Sequence, residues 1–212
     1  MRTIAYRYGR TGAVVLLAAL AVALAARGAA AESRDEWQQP DRVVADLGLK
    51  AGAAVADVGC GDGYFTFRLA DAVGRAGKVF AVDIDKGALK KVSDRAAREK
   101  RGNVEVVPSG PTDTKLASES ADVALLSDVL HHVPADQRAG LVKDSARAVK
   151  PGGFLYIVDY RKSRDVKFDP YEILIPRDDL VKLGTDAGLA LDAEFHYLKY
   201  QVFLRFRKPP KT

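Results

Sequence analysis

Residues 55–70 read VADVGCGDGYFTFRLA, and they hold the first group of residues that could do chemistry. Val55, Ala56, Asp57 and Val58 have mostly apolar strand character and run straight into Gly59, Gly61 and Gly63, after which Phe65, Leu69 and Ala70 follow a helical period. Alternating glycines let the backbone take positive φ and remove the Cβ atoms that would keep a ligand away from the helix N-terminus. The Asp57 carboxylate selects among ligands there, repelling a pyrophosphate and attracting an ammonium or sulfonium. Roughly two dozen residues on, a second apolar strand ends in Asp83, the spacing at which an acidic side chain reaches a ribose diol. Ile84 follows it and offers an apolar platform for a flat ring. Together these signals point to a nucleoside cofactor with a positively charged centre.

A second group sits further along. Ser127 and Asp128 end the apolar strand at 122–126, and the turn after it carries His131 and His132 before Pro134 stops it. Asp159 and Tyr160 end the next strand, 154–159. In an open α/β sheet the carboxyl edge of the strands is where ligands bind. Neighbours on a helix point about 100° apart, so only one of the two histidines can face a cleft squarely. A lone histidine is more often packed than chemical, but two of the chain's 3 histidines meet at this edge. No metal-ligand cluster shows at recognisable spacing. Asp128 with His132 is a pair that could take a divalent ion, but it reads more simply without one, so no metal site is expected. Cys60 is the only cysteine, which excludes an intrachain disulfide and a multi-thiolate metal site.

Asp57, Gly59, Gly61 and Gly63, then Asp83, then SDVLHHV at 127–133 and LVKDSARAVKPGGFLYIVD at 141–159 resemble the ordered motifs of class I S-adenosylmethionine-dependent methyltransferases. The resemblance covers nearly everything after residue 36. It is strongest to small bacterial enzymes of the ubiquinone-biosynthesis type, in particular an exported-looking subgroup that opens with Trp-Gln-x-Pro, as at Trp37 to Pro40 here. It implies a Rossmann-like α/β fold, with a seven-stranded, mostly parallel sheet that ends in an antiparallel hairpin and has helices on both faces. It also implies S-adenosyl-L-methionine as cofactor, held by Asp57, Gly59, Gly61, Gly63, Asp83, Ile84 and Ser127, with Asp113 receiving the adenine amino group. The loop PSGPTDTKL around Asp113 departs from the family's commoner Gly-Asp-Ala pattern, and a plain turn residue is the alternative reading of Asp113. Residues 161–175, with the segment around Trp37 and Gln38, are where such a protein shapes its acceptor pocket.

Methyl transfer from a sulfonium is an in-line displacement, so positioning in a site that excludes water supplies most of the catalysis. A phenol, enol or protonated amine acceptor would also need a base. Asp128, His131, His132, Asp159 and Tyr160 are available, a histidine being the best suited. The acceptor is expected to be a small molecule, whose class the mixture of aromatic, acidic and basic residues does not fix. Two other readings remain at this point. One is a non-catalytic exported domain that keeps the fold and binds S-adenosylmethionine, another nucleoside or a partner through it. The other is a nicotinamide oxidoreductase, disfavoured by Asp57 and by the lack of a Tyr-x-x-x-Lys motif.

The elements needed to position these residues are legible as an alternation of strands and helices over 212 residues, enough for one domain with its own core. Asp41 is expected to cap a helix that ends at Gly48; further helices are expected at 64–73, 86–100, 137–149 and 177–187. Two final strands, 189–196 and 200–206, close as a hairpin. The net charge is +5, but Arg2, Arg7, Arg10 and Arg27 lie within the first 31 residues, and removing them leaves +1. A nearly neutral body argues against a nucleic-acid partner. Residues 1–31 read as a three-part export signal: a basic start, an unbroken apolar run at 13–26 and small residues at Ala29 to Ala31. The expected product is a periplasmic or secreted domain from residue 32 onward. The alternative is an uncleaved anchor in the inner membrane, the one case in which a membrane would be a partner.

Overall fold

The apolar runs at 55–58, 79–82 and 122–126 have no polar face, which requires burial on both sides. In a computed structural model, which describes residues 32–166 and 168–211, they form the middle of a seven-stranded sheet. The strands are β1 Ala54–Val58, β2 Lys78–Asp83, β3 Val104–Pro108, β4 Ala121–Ser127, β5 Val149–Tyr160, β6 Ala190–Phe195 and β7 Gln201–Arg207, in the order β3-β2-β1-β4-β5-β7-β6. The first five pair in parallel, and β7 runs antiparallel to both β5 and β6. The helices are α1 Arg34–Gln38, α2 Pro40–Asp46, α3 Thr66–Val73, α4 Lys86–Arg98, α5 Ala135–Ala148 and α6 Arg177–Asp186.

Strand alternation divides the core between the two faces. Ala56, Val58, Leu126 and Ile157 pack toward Leu141 and Val142 of α5 and Leu180 of α6. Val55, Val123, Leu125 and Val158 face Val43 and Val44 of α2 and Leu69 and Val73 of α3. Helices therefore cover both faces, as the sequence predicts. The strand order reverses between β1 and β4, so the loops leaving those strands diverge and a crevice opens at their carboxyl ends.

One helix start differs from expectation. α2 begins at Pro40, not on a capping Asp41; Gln39 precedes it in the left-handed region at φ 46° and no side chain caps it. Proline has no N–H to satisfy and its φ is already helical, so the first turn forms without a cap. Asp41 lies inside that turn, where its charge suits the helix dipole. A side-chain cap is present at α4 instead, where Asp85 Oδ1 accepts from the N–H groups of Gly87 and Ala88 at 2.7 and 3.2 Å.

Residues 37–212 form one unit, which carries the site. In the other, Ser33 and Glu36 exchange hydrogen bonds as a capping box at the start of α1. The export signal expected at 1–31 lies outside the described residues. Among the described residues no helix is long and apolar enough to cross a membrane.

The long loop between β3 and β4 is fastened by Asp144 of α5. Its Oδ2 accepts from the Thr114 N–H at 2.8 Å and hydroxyl at 2.6 Å, and its Oδ1 from Arg147 Nε at 2.7 Å. Burial works against the Asp144 charge, but the hydrogen bonds from Arg147 and Thr114 outweigh it and hold the pKa below the ordinary carboxylate value. A depressed native pKa stabilises the fold above the unfolded value of about 3.9, and that contribution is lost as pH falls through the native value. Asp144→Ala is expected to cost about 2 kcal/mol in urea unfolding at pH 7. The deficit should narrow well below about pH 4; an equal deficit at both pH values would show that the charge contributes nothing.

Candidate active site

The diverging loops after β1 and β4 enclose a cleft of about 720 Å³. β1 ends at Val58, and the N–H groups of Gly59 and Cys60 both donate to the Val82 carbonyl, at 2.8 and 3.1 Å, drawing the glycine loop across the end of β2. Gly59 has φ 73°, and a Cβ on it would lie 2.3 Å from Val129 Cγ2. The loops after β1 and β4 can touch here only because residue 59 has no side chain. Gly61, at φ 54°, lines the cleft, and a Cβ on it would meet nothing within 4 Å. Bare backbone is thus presented to whatever occupies the cleft.

Asp83 stands beside Gly61 on the same wall. Its Oδ2 accepts from the Gly61 N–H and its Oδ1 from the Asp85 N–H, both at 2.8 Å. An ionised carboxylate oxygen can accept a second bond, so one more acceptor position remains on each oxygen for a pair of hydroxyls. Beside it Ile84 is 60% exposed although apolar, and its side chain forms part of the cleft wall. A bare glycine backbone, a carboxylate and an unburied aliphatic platform fit the sugar and flat base of a nucleoside.

The other end of the cleft belongs to the loop after β4. Asp128, in the left-handed region at φ 54°, is gripped by two amides: Gln38 Nε2 donates to its Oδ2 at 2.7 Å, and the Gln201 amide donates to its Oδ1. Gln38 also donates to Ser127 Oγ at 3.2 Å. The short 3-10 turn Leu130–His132 then places two rings with their centroids 4.0 Å apart. His131 is buried, with Nδ1 2.5 Å from Asp159 Oδ1. His132 lies on the cleft wall. Burial works against a charge on His131, but the hydrogen bond and charge of Asp159, with Asp169 and Asp128 behind them, outweigh it and raise its pKa. Burial and the neighbouring His131 lower that of His132, which leaves it a neutral imidazole at pH 7.

An aromatic wall adjoins the histidines. Trp37 stacks on Phe168 at 4.6 Å between centroids, Phe168 on Tyr160 at 5.5 Å, and the Tyr160 ring lies 5.3 Å from that of His131. Trp37 is buried, whereas Phe168 is nearly half exposed. Cys60 supplies no nucleophile, because burial and the carboxylates of Asp57 and Asp83 push its thiol pKa far up.

Residues 55–153 match the sequence profile of a methyltransferase domain. A demethylmenaquinone methyltransferase of Staphylococcus aureus is 30% identical over 128 residues, which cover 60% of this chain and 51% of the relative. The chain is thus similar to methyltransferases over its central part. It spans about half the length of the curated methyltransferases it matches. Two solved structures share the fold. One is an S-adenosylmethionine-dependent methyltransferase from Aquifex aeolicus, with a TM-score of 0.75, 24% identity and coverage of 83% of this chain and 94% of that one. The other is described as a possible exported protein from Bordetella parapertussis, with a TM-score of 0.66, 19% identity and coverage of 81% and 67%.

Measured against the family's motifs, the structure brings Gly59, Gly61, Asp83, Ile84, Asp128 and His132 to one cleft. It places five other candidates away from the cleft wall: His131, buried and held by Asp159, and the four that follow. Asp57 is buried beneath the glycine loop, where its Oδ2 accepts the Thr66 hydroxyl at 2.6 Å and ties α3 to β1. Gly63 is a packing glycine, since a Cβ there would lie 2.8 Å from the Phe67 ring. Ser127 turns its hydroxyl to Gln38. Asp113 turns outward and pairs with Lys115, through both the side chain and the N–H, because that short local contact satisfies it at the surface. Ser109, Gly110 and Pro111 occupy the wall where an adenine-binding carboxylate was expected. Sequence reasoning missed Gln201 and Asp169. A glutamine opening the last strand and an aspartate in an irregular loop carry no spacing signal.

Proposed function

We propose that this protein transfers a methyl group from S-adenosylmethionine to a small planar acceptor held between the His132 turn and the exposed face of Phe168. The observation that carries this reading is the wall formed by Gly61, Asp83 and Ile84 at the point where the strand order reverses. Gly61 would lie against the cofactor's backbone-facing side, Asp83 would accept both ribose hydroxyls, and Ile84 would pack on the adenine. When bound, the cofactor supplies an electrophilic methyl on a sulfonium. Asp128, fixed in direction by Gln38 and Gln201, and Asp57 under the loop set a negative potential around that positive charge. His132, neutral and on the cleft wall, takes the acceptor's proton. The aromatic wall suits a flat ring, and the Staphylococcus relative, whose name gives demethylmenaquinone as its acceptor, is consistent with that class.

Titration of the chain with S-adenosylhomocysteine tests the cofactor site. Absence of binding by the folded chain would leave a domain that keeps the fold for another purpose. His132→Gln is expected to keep S-adenosylhomocysteine affinity and to slow methyl transfer by about 100-fold or more, the range for loss of a general base. An unchanged rate would remove His132 from the mechanism.

We also infer that the protein works outside the cytoplasm. The support is the basic, apolar and small-residue order of residues 1–31. The similar fold of the Bordetella protein, itself described as a possible exported protein, agrees with it. Fusing residues 1–31 to a reporter active only after export checks this, and a reporter retained in the cytoplasm would overturn it.

A further inference from the structure

His131 carries an unsolved problem in its hydrogen bonding. Asp159 is fully buried; its Oδ2 accepts the Leu130 N–H at 3.0 Å and its Oδ1 accepts the Tyr160 N–H at 2.8 Å. Both its oxygens already serve as acceptors, so Oδ1 faces Nδ1 as an acceptor and the ring proton belongs on Nδ1. The other ring nitrogen, Nε2, is buried and has no hydrogen-bond partner. Leaving such an atom unmet costs about 1–3 kcal/mol. Its nearest charged neighbour is Asp169 Oδ2 at 3.5 Å, beyond the usual range for an N–H···O bond, so a proton on Nε2 would not be well served either.

What Nε2 faces is a ligand set. One donor atom each from His131, His132 and Asp169 lie within 4.8 Å of one another. Two donors bound to one tetrahedral ion at about 2.0–2.1 Å lie about 3.3–3.4 Å apart, close to the His131–Asp169 separation. His132 and Asp169 both reach solvent and can rotate to close the remainder. The buried ring that cannot move is also the one already oriented: a carboxylate accepting from Nδ1 is the arrangement that fixes metal-binding histidines, with the lone pair of Nε2 aimed at the ion.

We propose that His131, His132 and Asp169 bind a divalent transition-metal ion beside the cofactor cleft, with a coordination position open to an oxygen donor. Two imidazoles and one carboxylate suit zinc, iron or manganese better than calcium or magnesium. Three protein ligands are the number found where a metal keeps a position for water or substrate. Because His132 is also part of the cleft wall, that position faces the cleft. With the ion bound His132 is a ligand and not the base; an acceptor hydroxyl or enol oxygen placed on the ion would be acidified by it and lose its proton to solvent, which narrows the substrate class to oxygen-bearing rings. This part rests on the methyltransferase reading, while the metal site does not.

The test uses the full chain without a histidine tag, titrated with Zn²⁺ and, separately, with Co²⁺ followed by its visible absorption. Tight uptake of a single equivalent is expected. His132→Gln and Asp169→Asn, which alter partly exposed side chains, should each weaken Zn²⁺ affinity at least 10-fold while S-adenosylhomocysteine binding stays within about threefold. Asp159→Asn should weaken Zn²⁺ by about 10–100-fold, as loss of an orienting partner does. Acetohydroxamate, an oxygen chelator, should change the Co²⁺ spectrum of the wild-type chain. Equal Zn²⁺ affinity in the wild type and the ligand variants would mean adventitious binding and overturn the site. No uptake by a chain that binds S-adenosylhomocysteine would overturn it while leaving the cofactor reading intact. A spectrum unmoved by acetohydroxamate would overturn the open position.

Discussion

Asp83→Ala is expected to lower affinity for S-adenosylhomocysteine by at least about 100-fold, measured by isothermal titration. Two hydroxyl-to-carboxylate hydrogen bonds, each worth about 1.5–3 kcal/mol, are lost with the side chain. At about 1.4 kcal/mol per factor of ten, even the lower figure reaches that range. The structure adds a second loss. The same carboxylate accepts the N–H groups of Gly61 and Asp85, so its removal cuts one tie between the glycine loop and β2, leaving those from Gly59 and Cys60, and loosens the residue that caps α4. Asp83→Asn should be intermediate. Its amide keeps one acceptor oxygen and turns an NH₂ toward one of the two backbone donors. Binding by Asp83→Ala within threefold of the wild type would show that the cofactor lies elsewhere.

Gly59→Ala is expected to be the most damaging single methyl group in the cleft. The new Cβ would lie 2.3 Å from Val129 Cγ2 and 2.7 Å from its Cβ, and the backbone at φ 73° already disfavours a side chain. Overpacking of about 1–3 kcal/mol and left-handed strain of about 1–2 kcal/mol together suggest a cost near 3 kcal/mol. For a chain of this size that lowers Tm by about 6–12 °C. Val129→Ala in the same chain removes both Cγ contacts and leaves the one to Cβ, so it should recover part of the loss. The double variant would then be more stable than the two single changes predict, as coupled neighbours are. A Tm for Gly59→Ala within 2 °C of the wild type would mean that the two loops can separate without penalty.

Both substitutions fall on residues that the sequence picks out, and they show how far it reaches. Asp83 is visible because a strand that ends in an acid about 20 residues after a glycine turn is a local pattern repeated by one unit of fold. Gly59 is visible as a glycine, but the two reasons for it come from different sources. Its positive φ follows from the turn, whereas its contact with Val129 follows from the meeting of two loops. The same division explains Asp57 and Asp113. Their residue type and place after a strand suggested a ligand, and packing sent one beneath the loop and the other to Lys115.

The sequence by itself determined the central strands, the glycine turn and the strand ends that carry Asp83 and Asp128, while the strand order that opens the cleft between β1 and β4 came from the structure. The former depend on apolar periodicity and turn stereochemistry, which act over a few residues. Only the tertiary structure decided what fills the cleft's far end. Gln38 and Gln201 reach Asp128 across 90 and 73 positions of chain, and Asp169 meets His131 from a loop with no regular period. Such meetings are set by how whole elements pack against the sheet. A buried polar atom then reveals, by what it lacks, a role that no spacing could announce.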